Sequence, residues 1–353
     1  MADLLTVEEM IARCGLPAAE NTCRAVFLNG KLVRHNAGAA GMIAGSFDEL
    51  RQQGERYGRM AAEMFSGTTL PEGDGFFVFI PAHAQSGKPF QLMHLLDGRP
   101  AAQVRQLILA EAGSAAEILI CNHTVGEVPV AYHIVTEALL GEKASLNLTY
   151  MQQINRTSEV RTHVRARQMA HSRMNTHYIL LNGASVHNSL HATLEGAGAE
   201  HIARGLSFTC ETEHIANETL VEHAAPGCRS HQLFKHILSG ASTGVFSGKI
   251  TVSREAQQTA AYQRSSNILM DPAARMHIRP HLEIYADEVK CSHGATVGQL
   301  DAEALFYLRS RGVGEREARK ILLQAFAEET LDGIGCQQIK KEVERQIKQK
   351  MEN

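Results

Sequence analysis

Residues 176–195 read THYILLNGASVHNSLHATLE. Two short runs rich in Ile, Leu, Val and Thr flank a break at Gly183, and no helical pattern separates them. The same texture recurs from about residue 90 to 286, in EILICNHT (117–124), ASLNLTYMQQI (144–154), SHQLFKHIL (230–238), GVFSGKITV (244–252) and HLEIYA (281–286). Breaks fall at Gly113, Gly141, Gly183, Gly196, Gly227, Gly240 and Gly248. Strands alternating with helices would indicate a wound sheet of the Rossmann type. Many short strands in succession indicate a sandwich, a barrel or a β-solenoid instead. The repeats are too degenerate for spacing alone to choose among these.

The flanks read differently. RAVFLNGKLVR (24–34) is a hairpin pattern, two apolar runs joined by Asn29-Gly30. Residues 1–16 read as a short helix, FDELRQQGERYGRMAAEMF (47–65) as a helical stretch, and GFFVFIPAH (75–83) as a buried strand. Beyond Asp301, a plausible N-cap, the pattern turns helical, with Gly312 as a stop. EREARKILLQAFAEE (315–329) sets Ala318, Ile321, Leu322, Ala325 and Phe326 on one face. A third, basic helix runs through about 336–350 with Ile339, Val343 and Ile347. The apolar stripe Ala318–Phe326 is expected to form the core of a small helical domain or a docking surface.

The chain has 353 residues, 44% hydrophobic and 21% charged, enough for one large domain or two smaller ones. Its net charge of −3 argues against a general nucleic-acid binder. No apolar stretch of about 18 residues suggests a membrane span. MADLLTVEEMIARCG (1–15) lacks the basic start of a secretory signal. Seven scattered cysteines without a CxxC pair fit reduced cytosolic thiols, so a cytoplasmic location is expected. The sequons at Asn122, Asn147, Asn155 and Asn217 are then chance matches. Of 18 histidines, 15 lie between His123 and His293. Spaced singly on strands, most are expected as half-buried polar residues.

Most motif-like stretches fail on inspection. LEGAGAEH (194–201) lacks the third glycine of a dinucleotide loop, because His201 holds that position. STGVFSGKIT (242–251) has its glycines one residue too close for a phosphate loop, and Ile250 stands where Mg²⁺ needs a hydroxyl. No nucleotide site is expected on this chain, and any ATP chemistry belongs to a partner. The pair Glu211/Glu213 reads as solvated strand-edge acids. Cys291 with a distant histidine has no helix-start environment to depress its thiol pKa and no protease signature, so no catalytic residue is expected.

DEVKCSHGATVGQLD (287–301) is the exception. If the run 282–290 continues as a strand, Cys291 and His293 point to one face roughly 7 Å apart. A soft thiolate beside an imidazole suits zinc, copper or iron–sulfur centres. Two ligands do not close a tetrahedral site, so other histidines of this chain or a second subunit must complete it. A buried cysteine and a hydrogen-bonded histidine at a strand end is the plain alternative.

The stretch LEIYADEVKCSHGATVGQLDAEALFYLRSRGV (282–313) resembles the hallmark segment of the SufD family of iron–sulfur cluster assembly proteins. VFSGKITVSREAQQTAAYQRSSNILM (245–270) and SHQLFKHILSGASTGVFSGKI (230–250) extend the likeness, which is dense from about 206 to 326 and looser back to about 90. The sister SufB segment is His-Glu-Ala-Thr-like where this chain has Cys-Ser-His-Gly-Ala-Thr. The resemblance implies a mainly β fold: a right-handed parallel β-helix body over 86–297, a short mixed N-terminal part over 1–85, and a C-terminal helical domain over 298–353. It also implies a non-catalytic scaffold subunit. A SufB-like subunit would join it through the ends of the β-helices, and a SufC-like ATPase would dock on the C-terminal helices. A nascent iron–sulfur cluster would form at the subunit interface, using a SufB cysteine and His293, with Cys291 as a second family position. A homodimer is the other possible pairing.

Departures from the family pattern are Glu288 for the second Asp before Val-Lys, and Thr259-Ala260-Ala261-Tyr262-Gln263 for the usual Thr-Asp-Ala-Gln run. Only 23 residues precede Arg24, so the usual N-terminal helical region is expected to be short. Two other functions compete: a β-helix enzyme acting on polysaccharide, disfavoured by the lack of Trp, and a self-contained His/Cys metal-binding protein.

Overall fold

The computed structural model describes residues 8–9, 11, 23–35, 41–52, 75–99, 103–334 and 337–351. The helix expected over 1–16 and residues 53–65 of the one expected over 47–65 lie almost wholly outside these.

The described strands are β1 (Cys23–Leu28), β2 (Lys31–His35), β3 (Ile43–Ser46), β4 (Gly75–Ile80), β5 (Phe90–Leu96), β6 (Val104–Ala110), β7 (Ala115–Thr124), β8 (Ala131–Leu140), β9 (Ser145–Gln153) and β10 (Glu159–Gln168). They continue as β11 (Arg173–Leu180), β12 (Ser185–Leu194), β13 (Glu200–Thr209), β14 (His214–His223), β15 (Arg229–Leu238), β16 (Thr243–Val252), β17 (Thr259–Leu269), β18 (Arg275–Ile284) and β19 (Val289–Gly298). The described helices are α1 (Phe47–Gln52), α2 (Ala302–Ser310), α3 (Glu315–Glu328) and α4 (Gln337–Lys350).

From β4 onward each strand pairs with the strand two places on, never with its sequence neighbour; β1 pairs in parallel with β5, and β1–β2 and β3–β4 are antiparallel pairs at the start. The odd strands from β5 to β19 stack in one parallel sheet, sheet A, which also carries β1 and β2. The even strands from β4 to β18 stack in sheet B, with β3 at its edge. The chain thus coils between two sheets as a parallel β-solenoid of about eight turns. Both sheets begin in the N-terminal segment, because β1 pairs with β5 and β4 with β6. The Asn29-Gly30 hairpin forms as its sequence demands, both residues taking positive φ (49° and 87°).

Five of the glycine breaks, at 113, 183, 196, 227 and 240, are turns or bends between strands or lie in connecting segments, as does Gly141. Gly248 departs from this expectation: it sits inside β16. The in-register positions Arg173, Glu200, Arg229, Ala260 and Lys290 are unequally spaced in sequence. Turn lengths absorb the variation, which is why no fixed repeat is visible in the sequence.

Alternation along each strand sends one set of side chains into the lumen between the sheets. Tyr150 and Tyr178 stack there at 5.3 Å between ring centres, and Phe234 meets Phe246 at 4.9 Å. The lumen is not purely apolar. Thr162 donates to Asn188 Oδ1 (2.5 Å), Asn188 to Asn217 Oδ1 (3.0 Å), and Asn217 to His236 Nε2 (3.0 Å). His236 Nδ1 donates to Asn267 Oδ1 (2.8 Å), and Asn267 donates to the Thr296 carbonyl of β19 (2.8 Å). Each link lies between neighbouring coils or across the lumen, so the ladder fixes register as well as satisfying buried polar atoms.

The outer face of sheet A is apolar and is covered. Met151, Ile179, Leu206, Phe208 and Ile237 pack under Leu323 and Ala327 of α3 and under Ile339, Val343 and Ile347 of α4. The α4 ridge matches its sequence pattern. The α3 stripe does not: Ala318, Leu323 and Ala327 are buried, Leu322 and Phe326 are half-buried, and Ile321 and Ala325 are exposed. The sheet rotates the helix's contact arc relative to the face inferred from spacing. Polar anchors pin the tail. Lys235 donates to the Phe326 carbonyl (2.8 Å) and pairs with Glu329 (2.6 Å). Lys350 and Glu213, each 4% exposed in the side chain, form an ion pair at 3.4 Å. Glu213 is therefore a buried anchor and not a solvated strand-edge acid, and Glu211 lies in the turn before β14.

Candidate functional site

The solenoid ends abruptly. β18 and β19 are the last strands of their sheets, and each has a hydrogen-bonded strand on one side only. Both are ten residues long. Long bare edges of this kind are normally paired, covered or broken up by charge. Inward positions follow from the register with buried neighbours: Met276, Ile278, Pro280 and Leu282 on β18, and Val289, Cys291, His293, Ala295 and Val297 on β19. In an inner coil these would be sealed. Here they are half-buried or exposed, and Val297 is 49% exposed.

Cys291 and His293 lie on this face, as their spacing predicts, but in different surroundings. Cys291 pairs in register with Ala261 and packs at the edge of a small cluster with Ile250, Ala261 and Leu282. Burial pushes its thiol pKa up, while a backbone hydrogen bond at Ala261 acts the other way. The thiol form is thus favoured in the chain by itself. His293, opposite Gln263, is exposed and meets no hydrogen-bond partner among the described residues. An imidazole in that state presents both ring nitrogens to whatever approaches the open coil.

No group of three His, Cys, Asp or Glu side chains among the described residues is arranged to hold a metal ion. That leaves the self-contained metal-binding alternative without a donor set there. The other histidines are dispersed. His94, His201 and His236 are sealed in the lumen, with pKa values lowered by burial to about 3, 3 and 4. Neighbouring His123 adds to the lowering at His94, and His223 adds to it at His201. His177 and His223 are also buried and lowered to about 4. The expectation of half-buried histidines therefore fails for these five: the lumen supplies polar partners, Tyr132 and Gln106 for His94, Gln168 for His201, Ser230 for His223 and Asn217 and Asn267 for His236, while His177 lies on the outer face of sheet A, covered by the C-terminal tail, with its Nε2 3.0 Å from the Asp332 carbonyl. His133, His163 and His187 stand instead on the outer face of sheet B with Arg105, Arg161 and Arg165, lining an open concavity of about 690 Å³.

Helix α2 follows β19 directly. Asp301 caps it as expected, accepting from the backbone N–H of Glu303 (2.8 Å) and Ala304 (3.1 Å). None of its residues is buried, and Phe306 and Tyr307 are 72% and 58% exposed. Periodicity could not single out this bare aromatic pair, because the same residues would serve equally well inside a core. None of the described helices is long and apolar enough to cross a membrane.

Comparison with known proteins agrees with this architecture. Residues 94–326 match the family model described as SUF system FeS cluster assembly, SufBD core domain. The iron–sulfur cluster assembly protein SufD of Escherichia coli is 29% identical over 351 residues, covering 96% of this chain and 82% of that protein. An iron–sulfur cluster assembly SufBD family protein of Synechocystis is 31% identical over 287 residues, covering 77% of this chain and 63% of the relative. The chloroplast protein ABCI7 of Arabidopsis thaliana is 29% identical over 257 residues, covering 70% and 53%. The chain therefore belongs to the SufBD core family of the SUF system for FeS cluster assembly, as a SufD-type member.

Proposed function

We propose that this chain is a scaffold subunit whose open last coil is completed by a second subunit, and that a nascent iron–sulfur cluster assembles in the seam between them. His293 would be this chain's principal ligand. Cys291 would join it only if the approaching subunit or iron displaces its proton. The single observation behind this reading is the bare β18/β19 edge with an unpartnered histidine on its inward face. An incomplete donor set is what a shared site requires: the remaining ligands come from the other chain.

The partner that fits best is a SufB-type subunit, a homologous β-helix whose own terminal strands can continue both sheets. Backbone pairing along β18 and β19 would supply orientation, and Ile278, Leu282 and Val297 would supply apolar burial. A SufC-type ATPase would dock on the C-terminal helices, where Phe306 and Tyr307 offer an aromatic anchor. Nucleotide chemistry is assigned to that partner, and this chain is non-catalytic.

The cluster is cargo, so the chain's own task is to hold ligands in place while iron and sulfide arrive. The test is anaerobic reconstitution of the SufB-type pair with ferrous iron and sulfide, followed by cluster absorbance. His293→Ala is expected to lower the cluster yield at least tenfold with the pair still assembled. An unchanged yield contradicts the assignment.

A further inference from the structure

The lumen directly beneath His293 holds an acceptor with nothing to accept from. Gln263 stands opposite His293 in the parallel register, on the same inward face, one strand spacing of about 4.8 Å away. It is buried, and its two amide ends are in different states. Gln263 Nε2 donates to Gln232 Oε1 (3.2 Å), an oxygen that also accepts from Thr219 Oγ1 (2.6 Å). Gln263 Oε1 is closed off from solvent and has no hydrogen-bond partner. A buried acceptor left this way is destabilising unless something comes to donate to it.

The opposite wall is cut back around this amide. Gly248 of β16 lies mid-strand without the positive φ that would call for glycine, yet a Cβ there would stand 2.2 Å from Gln263 Nε2. The glycine's role is therefore the close approach of the side chain across the lumen and not backbone freedom. Together, the register, the orphaned oxygen and the missing Cβ place one unpartnered amide carbonyl in the coil next to His293.

We propose that Gln263 is a positioning residue for His293: its Oε1 accepts the N–H of one imidazole nitrogen and so turns the lone pair of the other outward, toward iron. The proposal rests on His293 being the ligand. Metal-bound imidazoles almost always donate their second nitrogen to an oxygen of this kind, which fixes tautomer and ring orientation. Gln232 and Thr219 hold Gln263 from below, so the device reaches into the closed part of the solenoid and does not depend on the loops at its rim.

The test uses the full-length chain without metal, labelled with nitrogen-15 histidine and examined by NMR at pH 8. His293 is assigned by difference from His293→Ala. In the native chain the His293 ring should report one dominant tautomer. Gln263→Met, close in shape but without the acceptor, should return it to the mixture of an unconstrained imidazole. Gly248→Ala displaces only the flexible amide end, so it should do the same and serves if Gln263→Met folds poorly. With the SufB-type subunit and iron, both variants should bind metal about 10- to 100-fold more weakly. Unchanged tautomer populations in both variants overturn the proposal, even if His293→Ala abolishes loading. If His293→Ala leaves loading intact, the ligand reading falls, and the positioning role falls with it whatever the tautomer does.

Discussion

His236 and His293 are both inward-facing histidines of sheet A, in neighbouring parts of the stack, and their circumstances are opposite. His236 lies on β15, between β13 and β17. It is fully buried, hydrogen-bonded through both ring nitrogens, and held neutral by desolvation, against which its bond to Asn267 works only in part. His293 lies on β19, which has a neighbour on one side only, and its ring is exposed and unpartnered. Strand type, sheet and facing direction are the same. The difference lies in the presence of a next coil. In a solenoid each unit is buried by its neighbours, so the terminal unit inherits an interior surface with nothing over it. The closed coils turn histidine into structure, and the open coil leaves it available for chemistry.

The closed part should be the more sensitive to acid. His94, His177, His201, His223 and His236 have folded-state pKa values of about 3 to 4. The unfolded chain takes up those protons near 6.5, whereas the folded chain does not. Stability is therefore full above about pH 6.5 and falls as pH drops toward 4. The loss is about 2 kcal/mol per histidine at pH 5, and the five together exceed any single substitution. Urea midpoints at pH 7.5, 6 and 5 would check this, and a flat series would mean these buried histidines are not kept neutral.

A single-site version of the contrast comes next in size. Phe234→Ala, in the sealed lumen, should cost about 3–5 kcal/mol. His293→Ala, on the bare coil, should stay within about 0.5 kcal/mol. Denaturant unfolding of the two isolated variants measures both, and comparable losses would erase the distinction between closed and open coils. The smallest effect on the chain alone should come from Ala295→Glu, also within about 0.5 kcal/mol. In the assembly the same carboxylate would be left unpaired inside the seam, and sedimentation should show pairing weakened at least about tenfold.

Much of the architecture can be read from the residues. Strand-length runs from 117 to 286 and the Asn29-Gly30 turn become strands and a hairpin where expected, because turn chemistry and β-branched content act locally. Cys291 and His293 share a face for the same reason, two residues being one strand repeat. What could not be read depends on neighbours distant in sequence. Gly248 looks like a break, yet it makes room for Gln263 across the lumen. The α3 stripe is rotated by the sheet it meets. Glu213 looks like a surface acid until Lys350 arrives from the far end of the chain. The availability of His293 is set by the ending of a stack, which no local pattern encodes.

The central claim is that the open coil is where a second chain joins. Backbone hydrogen exchange of β18 and β19 on mixing with a SufB-type subunit tests it most directly. Amides at the free edges of 275–284 and 289–298 should exchange rapidly in the isolated chain and slow by at least tenfold in the pair, with β12 and β14 unchanged. A stable complex that leaves those two edges exchanging as fast as before would contradict it.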